Sequence, residues 1–210
     1  MKQAPEIGGS HNGNTSRWFA RGGKKFRALL KPLKGTPLVY LEIGVFEGAS
    51  AQWVCQNILT NPDSRGYGVD LHLPWGKFGK EYMEEIRARA IETLTPWKDR
   101  FILKRESSSS FLKSGFLEDN SVDIIYVDGS HLAKDVLRDA VLSWDLLRPG
   151  GIMLFDDCRR KHAGRDPDAV VHGVDAFRKC YGKDLEVVLD GIHTAFRKKA
   201  SSQTLACHRD

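Results

Sequence analysis

The sequence predicts an α/β fold in which a mostly parallel sheet carries helices on both faces. Short apolar runs alternate with helix-length amphipathic segments between residues 38 and 181, and four of those runs end at or beside an acid. In an open parallel sheet the carboxyl ends of the strands share one rim, where ligands collect. Acids repeated at that rim therefore read as parts of one site.

A chain of 210 residues is long enough for one domain with a sizeable core and short for two catalytic domains. Hydrophobic residues make up 41% and charged residues 28% of it, and no run approaches the roughly 20 apolar residues of a membrane span. A soluble protein without membrane association is expected. The first sixteen residues lack the apolar core of a secretory signal, so cytoplasmic location is the default. The four cysteines, Cys55, Cys158, Cys180 and Cys207, form no CxxC pair, which argues against a zinc knuckle or a disulfide framework.

The formal charge of +5 sits at the ends of the chain. Residues 1–34 hold eight Lys/Arg and one acid, and residues 197–210 hold four and one, whereas residues 35–196 hold twenty and twenty-five. A nucleic-acid binder is expected to carry basic charge on its folded face, so nucleic acid is the less favoured partner.

The elements follow in order. Residues 1–34 read as a basic, partly disordered arm with a short helical stretch, in which Trp18, Phe19 and Phe26 interleave with Arg17, Arg21, Lys24, Lys25 and Arg27. This arm suits closing of a site, binding of phosphate or RNA, or packing in a homodimer. Leu38–Ile43 reads as a buried strand, Ala49–Leu59 as a helix stopped near Asn61-Pro62, and Gly66–Val69 as a strand ending at Asp70. After a Pro/Gly loop containing Trp75, Lys80–Leu94 has helical spacing, and Phe101–Leu103 is a weaker strand. Val122–Val127 ends at Asp128, Leu132–Leu147 is amphipathic, and Ile152–Phe155 ends at Asp156-Asp157. Val170–Tyr181 is a further helix, and Leu185–Leu189 and His193–Arg197 flank the Asp190-Gly191 turn signal as a closing antiparallel hairpin.

The turn Glu42-Ile43-Gly44-Val45-Phe46-Glu47-Gly48 has small residues at 44 and 48 but lacks the GxGxxG of a pyrophosphate cradle. Its two carboxylates would repel a diphosphate. A cofactor without phosphate fits better, with Gly44 and Gly48 permitting close approach and Glu42 accepting from backbone or an ammonium. The plainer alternative is a tight turn with close helix packing. Asp70 can take both hydroxyls of a ribose, or cap a turn.

Taken together, LEIGVFEG, YGVD, DIIYVDGSH and LLRPGGIMLFDD resemble class I S-adenosylmethionine (SAM)-dependent methyltransferases, closest to the small-molecule O-methyltransferase-like group of the caffeoyl-CoA and macrocin type. The resemblance spans about residues 38–197. It implies a Rossmann-like seven-stranded sheet, order 3-2-1-4-5-7-6 with strand 7 antiparallel; the domain is expected over residues 35–197, followed by a flexible tail, 198–210. It also implies that Glu42, Gly44 and Gly48 border the methionine part of SAM, that Asp70 holds the ribose, and that Ser107, within Arg105–Ser108, lies by the adenine.

In metal-dependent members of the group the later acids hold a divalent ion, which maps Asp128, Asp156 and Asp157 onto Mg²⁺. Neighbouring carboxylates need such neutralisation. The alternative gives Asp156 to the cofactor amine and makes Asp157 a cap. His131, in Asp128-Gly129-Ser130-His131, suits a general base, an extra ligand or a capping turn. Asp128 borders both cofactor and acceptor and is the second catalytic candidate. The basic run Cys158–Arg165 is placed to clamp an anionic acceptor or to lie solvated.

The expected activity is therefore methyl transfer from SAM to an oxygen of a small, hydroxylated, anionic or sugar-like acceptor, assisted by a divalent metal. An RNA methyltransferase recruiting substrate through its basic termini is the alternative. A non-catalytic cofactor-binding module is the third reading. No Asn/Asp-Pro-Pro-aromatic signature for attack by a base amine follows the fourth strand.

Overall fold

A computed structural model of the chain describes residues 23–74, 78–158, 166 and 169–200. Trp75, the basic run 159–165, the arm before Gly23 and the tail from residue 201 lie outside the described residues.

Seven strands form one sheet in the order β3-β2-β1-β4-β5-β7-β6. They are β1 (Val39–Ile43), β2 (Arg65–Val69), β3 (Phe101–Lys104), β4 (Val122–Val127), β5 (Leu147–Phe155), β6 (Leu185–Leu189) and β7 (Thr194–Lys198). The first five pair in parallel, and β7 runs antiparallel to both β5 and β6. This is the Rossmann-like methyltransferase sheet, with the strand order and the reversed seventh strand that the family resemblance implies.

Alternation along β1 sorts its side chains. Leu41 and Ile43 enter one apolar layer with Ile125, Val127, Met153 and Phe155. Tyr40 faces the other layer with Ile124, Tyr126 and Leu154. Helices cover both layers. On the Tyr40 side lie α1 (Lys24–Leu30) and α2 (Ala49–Asn57), and α3 (Lys80–Leu94) adds Leu94. On the other side lie α4 (Ser108–Lys113), α5 (Ala133–Trp144) and α6 (Val170–Tyr181).

Two elements differ from the sequence reading. The strand expected over 152–155 begins at Leu147, because Val122 pairs with Leu147 before the register shifts across Pro149-Gly150-Gly151. The serine run also contains a short helix, α4, capped by Ser107. Within α1, Phe26 and Leu30 are fully buried. Burying each of these side chains is worth about 1.5–3 kcal/mol, so the described part of the arm is anchored in the core.

Candidate functional site

Backbone hydrogen bonds continue one residue past the strand ends. Asp70 N donates to Lys104 O, Gly44 N to Val69 O, Asp128 N to Ile43 O and Asp156 N to Val127 O. The sheet therefore sets Asp70, Gly44, Asp128 and Asp156 in one row on its carboxyl rim, in spatial order.

Gly44 has φ +87°, and a Cβ there would stand 2.3 Å from the Asp128 carbonyl oxygen and 2.5 Å from Gly129 Cα. Only glycine permits this contact between the tips of β1 and β4. Gly48, at φ +83°, caps α2 by its backbone conformation.

Asp70 organises the first turn. Its Oδ2 accepts from the amides of Val45 (2.8 Å) and Phe46 (2.9 Å), and its Oδ1 from the amide of His72 (2.7 Å). His72 is buried, and its Nε2 lies 2.9 Å from Phe46 O, which only accepts, so Nε2 carries the proton. The other ring nitrogen, Nδ1, has no hydrogen-bond partner and lies 3.6 Å from Asp70 Oδ1. Phe46 and His72 both have φ near +50°, so the knot Phe46–Asp70–His72 holds two non-glycine residues in a conformation they rarely adopt.

Glu42 lies beneath this turn and is fully buried. Tyr40 OH donates to its Oε2 at 2.6 Å, and Ser50 Oγ on α2 donates to its Oε1. Burial pushes its carboxyl from the usual 4.5 up to about 7. The same burial, followed by the Glu42 charge, raises the Tyr40 phenol and keeps it a donor.

On the adenine side expected from the resemblance, Ser107 Oγ accepts from Ser110 N at 3.1 Å as the cap of α4. Ser108 Oγ donates to Asp139 Oδ1 on α5 at 2.6 Å. Arg105 pairs with Glu84 of α3.

The later acids are arranged around Tyr126. Its hydroxyl donates to Asp156 Oδ2 at 2.9 Å and lies 3.3 Å from Asp128 Oδ2. Asp156 Oδ1 lies 3.0 Å from His193 Nε2 and accepts from Asp157 N at 2.7 Å. Asp157, at φ +55°, places its Oδ2 2.9 Å from His131 Nε2.

These surroundings drive the two inner carboxyls apart. Burial, with the charges of Asp156 and Asp157 added, holds Asp128 well above the usual carboxylate range. Burial also pushes Asp156 up, but the hydrogen bond and charge of His193, the Asp157 amide and the Tyr126 hydroxyl outweigh it and leave its pKa lowered. Among the described residues, the ligand-capable atoms that converge, all within 4.8 Å of one another, belong to Asp128, His131 and Asp157. Asp156 stands behind them, held by Tyr126 and His193.

The sequence motifs thus locate Glu42, Gly44, Asp70, Asp128, His131, Asp156 and Asp157 at one end of the sheet. Tyr40, Ser50, His72, Tyr126 and His193 join them only in three dimensions. The strand alternation over Tyr40–Glu42 and Tyr126–Asp128 carried a signal for the tyrosines, because residues two apart share a face.

A seven-stranded sheet of this order, with its one reversed strand and a glycine-opened first turn, defines a class I methyltransferase fold. The chain belongs to the methyltransferase domain family, which it matches over residues 41–158, a stretch running from β1 through Asp157. An uncharacterized protein of Acanthamoeba polyphaga mimivirus is 29% identical over 122 residues, 57% of this chain and 51% of that protein. The match spans about half the length of that relative.

Among solved structures, the O-methyltransferase TomG of Streptomyces achromogenes, involved in tomaymycin synthesis and in complex with SAM, is similar at TM-score 0.63 and 20% identity, over 86% of this chain and 81% of that one. An O-methyltransferase from Bacillus cereus in complex with SAH has TM-score 0.63 and 16% identity, over 93% and 84%. A putative rRNA-methylase from Clostridium thermocellum has TM-score 0.60 and 15% identity, over 83% and 95%. At these identities the likeness is one of fold.

Proposed function

We propose that the chain is a SAM-dependent methyltransferase that methylates an oxygen of a small hydroxylated acceptor with the help of a divalent cation. The observation that carries this reading is the convergence of Asp128, His131 and Asp157 within 4.8 Å on the same rim as the bare Gly44 turn and Asp70.

The first two strand tips fit a phosphate-free nucleoside. A side chain at position 44 would collide with the Asp128 backbone, so glycine there lets the tips of β1 and β4 close up beside the proposed cofactor. Asp70, already oriented by three amides, retains acceptor capacity for ribose hydroxyls, and Glu42 supplies negative charge beneath the methionine ammonium. Ser107 and the neighbouring segment serve the adenine end. When bound, the cofactor supplies a methyl group already activated by its sulfonium, so the chain's task is alignment and proton removal.

Two converging carboxylates are a donor set that suits Mg²⁺ or Mn²⁺, and Asp128 and Asp157 would hold the ion with Asp156 supporting them, which leaves His131 free of it. A cation there lowers the pKa of an acceptor hydroxyl. His131, exposed at the mouth and hydrogen-bonded to Asp157, is the group that takes the hydroxyl proton.

The test is methyl transfer to a panel of hydroxylated small molecules before and after chelation. Activity lost on chelation and restored by Mg²⁺ supports the reading, and activity indifferent to chelation removes the metal from it. An RNA acceptor is favoured only by the fold shared with the Clostridium protein and by the basic ends, and it requires RNA binding with a steep salt dependence.

A further inference from the structure

The two consecutive aspartates after β5 meet different histidines. Asp156 Oδ1 faces His193 Nε2 at 3.0 Å, and Asp157 Oδ2 faces His131 Nε2 at 2.9 Å. The first pairing is a matter of register. Phe155 stands opposite Thr194 across the antiparallel β5–β7 ladder, so the residue after Phe155 meets the residue before Thr194. The second arises at a left-handed residue, Asp157, a conformation aspartate tolerates better than most side chains.

The environments of the two pairs are unlike. His193 is 4% exposed, and the Phe26 ring of α1 packs against both His193 and Tyr126. The His131 side chain is 46% exposed and open to an acceptor.

One oxygen joins the pairs. Asp156 Oδ1, which His193 holds, is also the atom that accepts the Asp157 amide at 2.7 Å. Tyr126 holds the other oxygen of the same carboxylate, and Cys158 N ties the next residue back to Ile192 O, beside His193. The carboxylate is thus fixed at both oxygens, and it in turn fixes the strained residue whose side chain reaches His131.

We infer that His193 is a positioning residue for the Asp157–His131 pair. It donates Nε2–H to Asp156 Oδ1 and thereby holds the left-handed turn that sets the Asp157 carboxylate beside His131. His193 is sealed from the acceptor and acts only through Asp156. This role rests on the proposed reading in that the pair it positions is the one assigned to the acceptor hydroxyl.

The test compares the full-length chain with His193→Leu, which removes the donor, and His193→Gln, which keeps an N–H of similar reach. Long-range ¹H–¹⁵N spectra of the imidazoles, recorded without ligand or metal, report which ring nitrogen of His131 carries the proton. The wild type is expected to show Nε2 protonated, His193→Leu to shift His131 toward the averaged state of a free histidine, and His193→Gln to restore it. Unchanged His131 signals in His193→Leu overturn the proposal, as does a wild-type His131 without a proton on Nε2.

If His193→Leu does not fold, Asp156→Ala interrupts the same link and is expected to give the same shift. Calorimetric titration of wild type and the two His193 variants with S-adenosylhomocysteine is expected to agree within about 2-fold, because the first two strand tips are untouched. Wild type that fails to bind it overturns the methyl-transfer reading, while the His131 spectra still decide the coupling.

Discussion

Gly44 lies so close to Asp128 that a Cβ on the glycine would stand 2.3 Å from the aspartate's carbonyl oxygen. The neighbour is backbone at a strand tip, held by the Asp128 N to Ile43 O hydrogen bond, so it cannot yield as a flexible side chain would. Gly44→Ala must move β1 or β4 and strain a residue at φ +87°. The expected cost is about 2 kcal/mol or more, together with at least a tenfold loss of S-adenosylhomocysteine affinity. Urea denaturation and calorimetry measure both. Gly79→Ala, where nothing lies within 4 Å of the added carbon, is the control and costs under about 1 kcal/mol.

Phe26 is fully buried against Tyr126 and Trp53. Phe26→Ala is expected to destabilise the fold by about 3–5 kcal/mol, a loss that a peripheral arm would not cause. A thermal midpoint within a degree or two of wild type would place α1 outside the cooperative unit.

Charge patterning made the arm legible as basic, but its anchoring was hidden. Gly22-Gly23 interrupts the helical pattern, and nothing local shows that Phe26 finds a gap between Tyr126 and Trp53. The strand-end acids were legible because each closes an apolar run. Their partners were not: the Asp156–His193 pairing depends on β7 inserting antiparallel between β5 and β6 in one register, and the His72–Phe46 contact joins the turns after two neighbouring strands. The serine-rich α4 escaped notice because six residues are too few for a period to stand out.

Glu42 makes stability depend on pH in a definite direction. Its folded-state pKa, raised by burial to about 7 from 4.5, means that the folded form keeps a proton the unfolded chain has lost. Stability from this group is fully present below about pH 4.5 and declines as pH rises toward 7, by at most about 3 kcal/mol. Glu42→Gln keeps the shape and removes that decline, so the variant gains on wild type by about 1–3 kcal/mol between pH 5 and 8. Parallel stability curves over that range would contradict the assignment. Above pH 7, where Glu42 is ionised, the same substitution is expected to weaken cofactor binding, because the proposed site then loses a negative charge.

Asp157→Asn and Asp128→Asn each remove a carboxylate from the convergent cluster. Each is expected to lower Mn²⁺ affinity by about 100-fold or more and methyl transfer with it, leaving S-adenosylhomocysteine affinity of the Asp157 variant within about 3-fold of wild type. Paramagnetic resonance of added Mn²⁺ reads the first effect directly. Equal Mn²⁺ binding by wild type and both variants would move the ion elsewhere.

The proposed function requires a nucleoside across the tips of β1 and β2 with its ribose on Asp70. Calorimetric titration of the purified full chain with SAM, beside Asp70→Asn, tests it most directly. Wild type is expected to bind with Kd of about 100 µM or tighter, and Asp70→Asn about 10- to 100-fold more weakly, since a charged acceptor of several hydrogen bonds is lost. Absence of heat from wild type at several times that concentration, or equal affinity in the two proteins, would contradict it.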